Sequence, residues 1–229
     1  MRENEFTDLI LRFTGEAGIT LTEKQARLLN RHIQLMLEWN LRLNLTRIAE
    51  PEEIIVKHLL DSIVPAQFIP SSGNALDVGT GAGFPGIPLK IVYPGLQMVL
   101  LDSSRKKVSF LTAAAVALGL KGIRALHGRW QEFPNAEAHI GKFELITMRA
   151  LKLEPEHLTR LASPVLAPGG VFAWWCARGS ERFAERGDSD AGKTDYPDMS
   201  FEGDLDYLLP SMGQPRAIRL WRKALKAGR

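Results

Sequence analysis

The spacing of apolar positions divides the chain into stretches of different character. From 22 to 43, Ala26, Leu29, Ile33, Leu37 and Leu41 recur every three or four positions. That period predicts one long amphipathic helix, with Thr22 as its N-cap and Glu23 in its first turn. Phe6, Leu9, Ile10 and Phe13 predict a shorter helix before it, and residues 52–64 a third that stops at Pro65. After Ser71-Ser72-Gly73, short β-prone runs alternate with helical stretches. Strands are expected at 75–78, 98–101, 123–126, 145–148 and 171–175, with helices at 86–92, 106–118 and 158–165. Such alternation predicts an α/β, doubly wound, mostly parallel sheet. Residues 187–206 are acidic and weakly periodic and read as a loop. Tyr207-Leu208-Leu209 and residues 217–221 then read as a final, hairpin-like pair of strands.

Composition narrows the class. A chain of 229 residues that is 45% apolar and 24% charged can bury a large core, which excludes disorder as the main state. The expected organisation is an N-terminal helical extension over 1–70 and a Rossmann-like core over 71–229, together one compact unit. The longest nearly apolar run, 110–120, is about half the roughly twenty residues a membrane helix needs. The N-terminus also lacks the pattern of a signal peptide, so no membrane contact and a cytoplasmic location are expected. Cys176 is the single cysteine, which rules out an internal disulfide, and His32, His127, His139 and His157 show no ligand spacing, so no metal is expected. The net charge is +3, and residues 212–229 hold six basic side chains and no acid. Such a tail either follows phosphates or is a solvated end.

The strongest chemical signal is Asp77-Val78-Gly79-Thr80-Gly81-Ala82-Gly83-Phe84-Pro85-Gly86, directly after the first expected strand. Glycines allow tight turns and close approach to a ligand, and the following helix offers free N–H groups. The spacing of Gly81, Gly83 and Gly86, with Asp102 nineteen residues beyond Gly83, also fits a dinucleotide fingerprint. Asp77, however, has no role in holding a pyrophosphate and suits a cationic amino-acid ligand. S-adenosylmethionine carries an ammonium group and a sulfonium but no phosphate, and Asp102 at the tip of the second strand would accept its ribose hydroxyls. The structural alternatives are a turn role for Asp77 and, for Asp102, a strand-end acid with Ser103 capping the next helix.

The residues that end the fourth expected strand narrow the acceptor. They read Thr147-Met148-Arg149-Ala150, without the Pro-Pro-aromatic loop of amino-methylating enzymes. Cys176 follows Trp175 and not a proline, and fits a core thiol better than a cytosine-methylating nucleophile. Arg149 suits an acceptor oxygen, a phosphate or the cofactor carboxylate, or else pairs with a nearby acid. A ring nitrogen with a free lone pair, such as guanine N7, loses no proton on methylation and needs no base. His58 either steadies the base or makes a helix-packing contact. Trp174, Trp175 and Trp221 fit sheet packing better than base stacking.

Asn44-Leu45-Thr46, Lys57-His58-Leu59-Leu60-Asp61-Ser62, the loop from Asp77 through Gly86-Ile87-Pro88, and Leu101-Asp102-Ser103 occur in one order. In these motifs the chain resembles the bacterial small-subunit (16S) ribosomal RNA guanine-N7 methyltransferases, also called the glucose-inhibited division protein B family. The likeness runs from about 20 to 180, with a weaker match at Leu208-Leu209-Pro210 and Arg216. The resemblance implies a class I methyltransferase fold and methyl transfer from S-adenosylmethionine to N7 of one guanine in the 16S RNA of the small subunit or its precursor; a monomer is expected. It places Gly79, Phe84, Trp130, Gln131 and Arg149 around the cofactor, and Asn44, His58, Asp61 and Arg149 around the base. For Phe84 the structural alternative is packing at the helix start. Departures from the family pattern are Met148 for a frequent Ser, Trp130-Gln131 for Ala-Glu, and Arg178-Gly179 for Lys-Gly. The alternatives are a methyltransferase for another RNA or a small molecule, a non-enzymatic cofactor-binding module and, more remotely, a nicotinamide-dependent dehydrogenase.

Overall fold

A computed structural model gives the fold; its described residues are 3–48, 50–149, 155–177, 198–210 and 215–225. Helix α1 (Glu3–Glu16) leads to α2 (Glu23–Leu43), whose Thr22 hydroxyl accepts from the Gln25 N–H while the Gln25 side chain accepts from the Thr22 N–H. Two otherwise unpaired N–H groups are satisfied in this reciprocal cap. The buried face of α2 carries Ala26, Leu29, Asn30, His32, Ile33, Leu35 and Met36. Leu41, expected on that face, is 88% exposed, and Trp39 and Leu43 pack against the core in its place. Asn44 ends the helix at φ 50°, a left-handed cap that asparagine tolerates.

The third helix does not stop at Pro65. It consists of α3 (Pro51–Ile54), a π-helical stretch (Ile55–Leu60), α4 (Asp61–Ile63) and a 3-10 end (Val64–Phe68). Pro65 lies in the first turn of the 3-10 end, where its missing N–H leaves no bond unmade.

Seven strands follow: β1 (Ser72–Val78), β2 (Gly95–Asp102), β3 (Ile123–His127), β4 (Phe143–Arg149), β5 (Leu166–Ala177), β6 (Met199–Tyr207) and β7 (Arg216–Lys223). They form one sheet in the order β3-β2-β1-β4-β5-β7-β6, parallel except for β7, which runs antiparallel to both of its neighbours. Helices α5 (Gly86–Val92), α6 (Arg105–Ala117) and α7 (Pro155–Val165) fill the connections. Side chains alternate across the strands. Met98, Leu100 and Leu145 join a cluster with Ile33, Leu59, Ile87 and Phe110 from the helices of one layer. Val99, Leu101 and Ile146 pack against Trp130, Phe133 and Val165 on the other. The first 68 residues thus share an apolar core with the sheet. The order reverses between β1 and β4, and at this switch point an open α/β sheet leaves a crevice beyond its strand ends.

The stretch read as an acidic loop is a strand over its described part, and residues 187–197 lie outside the described residues. In β6, Met199, Phe201, Leu205 and Tyr207 turn inward while Ser200, Glu202, Asp204 and Asp206 turn outward. Of the expected strand at 207–209 only Tyr207 belongs to β6. The acids that hid this strand are cross-strand partners of the basic tail. Arg219 Nε and Nη2 donate to Asp204 at 2.7 and 2.9 Å, and Arg222 holds both oxygens of Glu202. Lys223 Nζ donates to the carbonyls of Ser163 and Leu166 at the end of α7. Trp174, Trp175 and Trp221 are all buried, as expected for sheet packing. The Cys176 thiol, half-buried and pushed up to about 11 by burial, is no nucleophile at neutral pH.

Because Arg219 is nearly buried and its contact with Asp204 is bidentate, Asp204→Asn is expected to lower stability by about 1–3 kcal/mol in urea denaturation. Substitutions of the exposed Lys24 are expected to leave it unchanged.

Candidate active site

The glycine loop leaves β1 at the switch point and is held by two carboxylates. Asp77, fully buried, accepts from the Thr147 hydroxyl of the neighbouring strand at 2.8 Å and from the Gly86 N–H at 2.9 Å. Burial pushes its pKa up, against the pull of these donors. Asp102 accepts from the Gly81 N–H at 3.0 Å and the Ser104 N–H at 2.8 Å. Ser104, rather than Ser103, caps α6. The backbone must close in here. At Gly83, φ 89°, a Cβ would meet Ile87 at 2.5 Å and His32 Nε2 at 3.1 Å. At Gly86 it would meet Leu100 at 2.4 Å and Asp77 Oδ2 at 2.7 Å.

Beside this loop lies a cleft of about 480 Å³ lined by Gly79, Asp102, Trp130 and Gln131, together with Ser103, Arg129 and Glu132. Four of the residues expected around the cofactor therefore share one cavity. Trp130 borders the cleft from the edge of the core, its indole N–H buried and without a partner among the described residues. A carboxylate at the tip of β2, the half-buried glycine backbone at Gly79 and an aromatic wall fit the ribose and adenine of S-adenosylmethionine. Asp77 differs from expectation. Both its oxygens serve the protein, so it fixes the loop and presents no free carboxylate to the cleft.

Of the residues expected around the base, Asp61, Arg149 and His58 gather in one cluster around a carboxylate. Asp61, 2% exposed, follows the π-helical stretch. Its Oδ2 accepts from Arg149 Nη1 at 3.1 Å and Arg216 Nη2 at 3.0 Å; its Oδ1 accepts from the Tyr207 hydroxyl at 2.7 Å and Arg216 Nε at 3.1 Å. The Trp175 indole N–H donates to its main-chain oxygen at 2.7 Å. Two guanidiniums against one carboxylate leave a net positive charge. Arg149, at the tip of β4, also donates to the Lys57 carbonyl at 3.2 Å and lies over the Phe84 ring, its Cζ 5.6 Å from the centroid.

His58 is defined by its partners. Arginine can only donate, so His58 Nδ1 accepts from Arg149 Nη2 at 3.3 Å. Its Nε2–H then donates to the Thr46 hydroxyl at 2.9 Å. Burial, followed by the charge of Arg149, lowers its pKa to about 4. Phe84 is clasped between His58 and His32, with ring centroids 5.0 and 4.7 Å away. His32, buried and also lowered to about 4 by burial, donates to the Ala82 carbonyl at 2.9 Å. Asn44 stands apart from this cluster, exposed at its helix end; Thr46, two residues on, makes the contact.

Sequence reasoning missed four supports: His32, Thr46, Tyr207 and Trp175. His32 had a signal, since it adjoins Ile33 on the apolar face of α2. Tyr207 had none, because its partner is 146 residues away. Arg178 and Gly179 lie outside the described residues. Met148 is buried in the sheet, so this departure does not face the site.

The fold and the site together define a class I S-adenosylmethionine-dependent methyltransferase. The chain belongs to the GidB family, rRNA small subunit methyltransferase G, whose model matches residues 25–191. It is 48% identical over 226 residues to Ribosomal RNA small subunit methyltransferase G 1 of Syntrophobacter fumaroxidans, covering 97% of this chain and 99% of that protein. Identity to the Streptococcus gordonii protein of similar name is 34% over 227 residues, covering 97% and 92%. Among solved structures, TYW2 of P. horikoshii in complex with MeSAdo is 13% identical with a TM-score of 0.51, over 72% of this chain and 62% of that one. The [4+2]-cyclase SpnF is 14% identical with a TM-score of 0.55, over 77% and 83%. That a cyclase shares the architecture shows why the fold alone does not name the reaction.

Two outcomes test this geometry. With His32 and His58 titrating near 4 in the fold and near 6.5 when unfolded, the unfolded chain binds more protons between those values. Stability is therefore expected to fall as pH drops from about 6.5 toward 4, by about 2 kcal/mol per histidine at pH 5. Thermal denaturation from pH 7 to 5 reads it; His32→Leu should flatten the profile, and an equal slope in that variant would refute the assignment. Gly86→Ala is expected to cost about 1–3 kcal/mol and to weaken S-adenosylmethionine binding in calorimetry.

Proposed function

We propose that the chain transfers a methyl group from S-adenosylmethionine to N7 of one guanine in the 16S RNA of the small ribosomal subunit or its precursor, as a cytoplasmic monomer. The observation that carries the choice of N7 is the state of the groups around Arg149. Asp61 accepts four donors, both His58 nitrogens are engaged, and Asp77 is buried and bonded. None of these three is free to take a proton, as methylation of an exocyclic amine would require. A guanine N7 sheds none.

S-adenosylmethionine, when bound, supplies an electrophilic methyl carbon on a sulfonium, which a neutral ring nitrogen attacks without proton loss. Gly79, Asp102, Trp130 and Gln131 would hold the ribose and adenine, with Gly81, Gly83 and Asp77 fixing the loop. Phe84, between two imidazoles, separates the cofactor side from the base side. Arg149 presents its guanidinium to guanine O6 or to the cofactor carboxylate. Asp61, itself fixed by Tyr207 and Arg216, holds it in place, so rate enhancement comes from positioning and exclusion of water. A neutral His58 adds no charge beside a base that becomes cationic. Asn44, exposed at the site's rim, would meet the base or its neighbour.

Labelled methyl groups are expected to enter small subunits that lack the modification, as N7-methylguanosine at one position. Arg149→Ala is expected to reduce that rate by roughly 10²–10³ with the fold retained, and cofactor affinity in the variant reads whether the guanidinium serves guanine O6 or the cofactor carboxylate. Full activity in that variant would remove Arg149 from the mechanism, and incorporation at another atom would overturn N7. Sedimentation in solution reads whether the active species is one chain.

A further inference from the structure

On β7, Arg216, Arg219 and Arg222 each bind a carboxylate, and Lys223 binds carbonyls. Arg12, Arg27, Arg31 and Lys57 pair with acids along the N-terminal helices. Lys24, Lys121, Arg124, Lys142 and Arg160 have no acid partner among the described residues, and Arg124 and Lys142 lie with Gly122 at the other end of the strands. Six more without one lie at or next to the opening of the site. Arg42 and Arg47 flank Asn44 at the end of α2 and are exposed. Arg105, Lys106 and Lys107 form the first turn of α6, directly beyond Asp102. Arg129 is exposed and lines the cleft.

Hydrogen bonds and ring packing bring the three groups to one edge. The Gly128 N–H donates to the Asp102 carbonyl at 3.1 Å and His127 Nε2 to the Ser103 carbonyl at 3.0 Å, which sets Arg129 beside the start of α6. Trp39 packs on Phe110 with centroids 5.7 Å apart, joining the last turns of α2 to α6. The arrangement is unfavourable for the isolated fold. Three adjacent cations and no acid occupy the first turn of α6, where the helix dipole favours negative charge. An external polyanion would relieve this cost.

We propose that this edge is the docking surface for the phosphate backbone of the acceptor RNA. Arg105, Lys106, Lys107 and Arg129 would follow it on the cofactor side of the opening and Arg42 and Arg47 on the other, leaving the hairpin cations out. The proposal rests on the reading of RNA as acceptor. The shape that admits the backbone is the C-terminal edge of the sheet, so a bound strand would pass over the crevice where a base can enter.

Binding to unmodified small subunits, measured across a salt series, tests it. The triple variant R105Q/K106Q/K107Q is expected to reduce the slope of log K against log salt by about 2, and R42Q/R47Q by about 1.4, at roughly 0.7 for each phosphate no longer neutralised. S-adenosylmethionine affinity should not change in either variant. R222Q, in the hairpin, should keep the wild-type slope. A triple variant with the wild-type slope, while wild-type protein still methylates the subunit, overturns the surface and leaves the function standing. A slope lowered equally by R222Q also overturns the surface. Wild-type protein that neither binds nor methylates small subunits overturns both.

Discussion

A carboxylate withdrawn from water is costly unless it is fully hydrogen-bonded and matched by opposite charge, and the site is arranged around meeting that demand at Asp61. Its four donors come from β4, β6 and β7, and its main-chain oxygen takes a fifth from β5. The helical segment that carries it is thereby tied to four strands at the edge where the chemistry takes place. Two arginines on one carboxylate leave positive charge in excess, so the interaction that fixes Arg149 does not neutralise it. An ion pair of one arginine with one carboxylate would hold the strands together as well, and would give the acceptor pocket no charge.

The cofactor side obeys the same logic with a different result. Asp77 and Asp102 stand at the ends of neighbouring strands and spend their oxygens on the N–H groups of Gly86, Gly81 and Ser104. Each of these backbone donors acquires a partner before any ligand arrives. Asp102 still borders the cleft and its oxygens have further lone pairs, so it can add a ligand hydroxyl. Asp77 cannot do so from full burial. Two acids that look equivalent in sequence are separated by depth alone.

Elements governed by local rules were legible in the sequence, and those governed by distant partners were not. The period of apolar residues located α2, the strands β1 to β5 and their helices, because those elements bury one face each. The glycine loop and Asp102 were legible because a ligand-binding turn imposes local rules on residue type. Trp130, Gln131 and Asp61 entered through the family resemblance, whereas Arg149 and His58 were also read from their own chemistry; the first two line the cleft and the other three form one cluster. Relations between distant segments escaped. β6 looked like a loop because its outward positions are acidic, and they are acidic because β7 opposite them is basic. The π-helical stretch left no trace in residues 55–60, whose apolar pattern fits an ordinary helix equally well. Tyr207 is read as a strand residue from its own neighbourhood, and only the folded register brings its hydroxyl to Asp61.

The same dependence on pairing governs the charge of the molecule. Counted along the chain, the end at 212–229 holds six basic residues and no acid. In the fold Arg219 and Arg222 are matched by carboxylates of the hairpin, so they project little field beyond a Debye length of about 8 Å at physiological salt. The six cations around the opening are scattered in sequence, yet they converge on the strand ends that hold the glycine loop. An anionic partner responds to this residual field and not to the count. The three-residue basic run at the start of α6 opposes the helix dipole, a local cost that stability alone would not favour. A binding function at that edge is the physical reason such a run can persist there, because the same charges that weaken the free fold strengthen its complex.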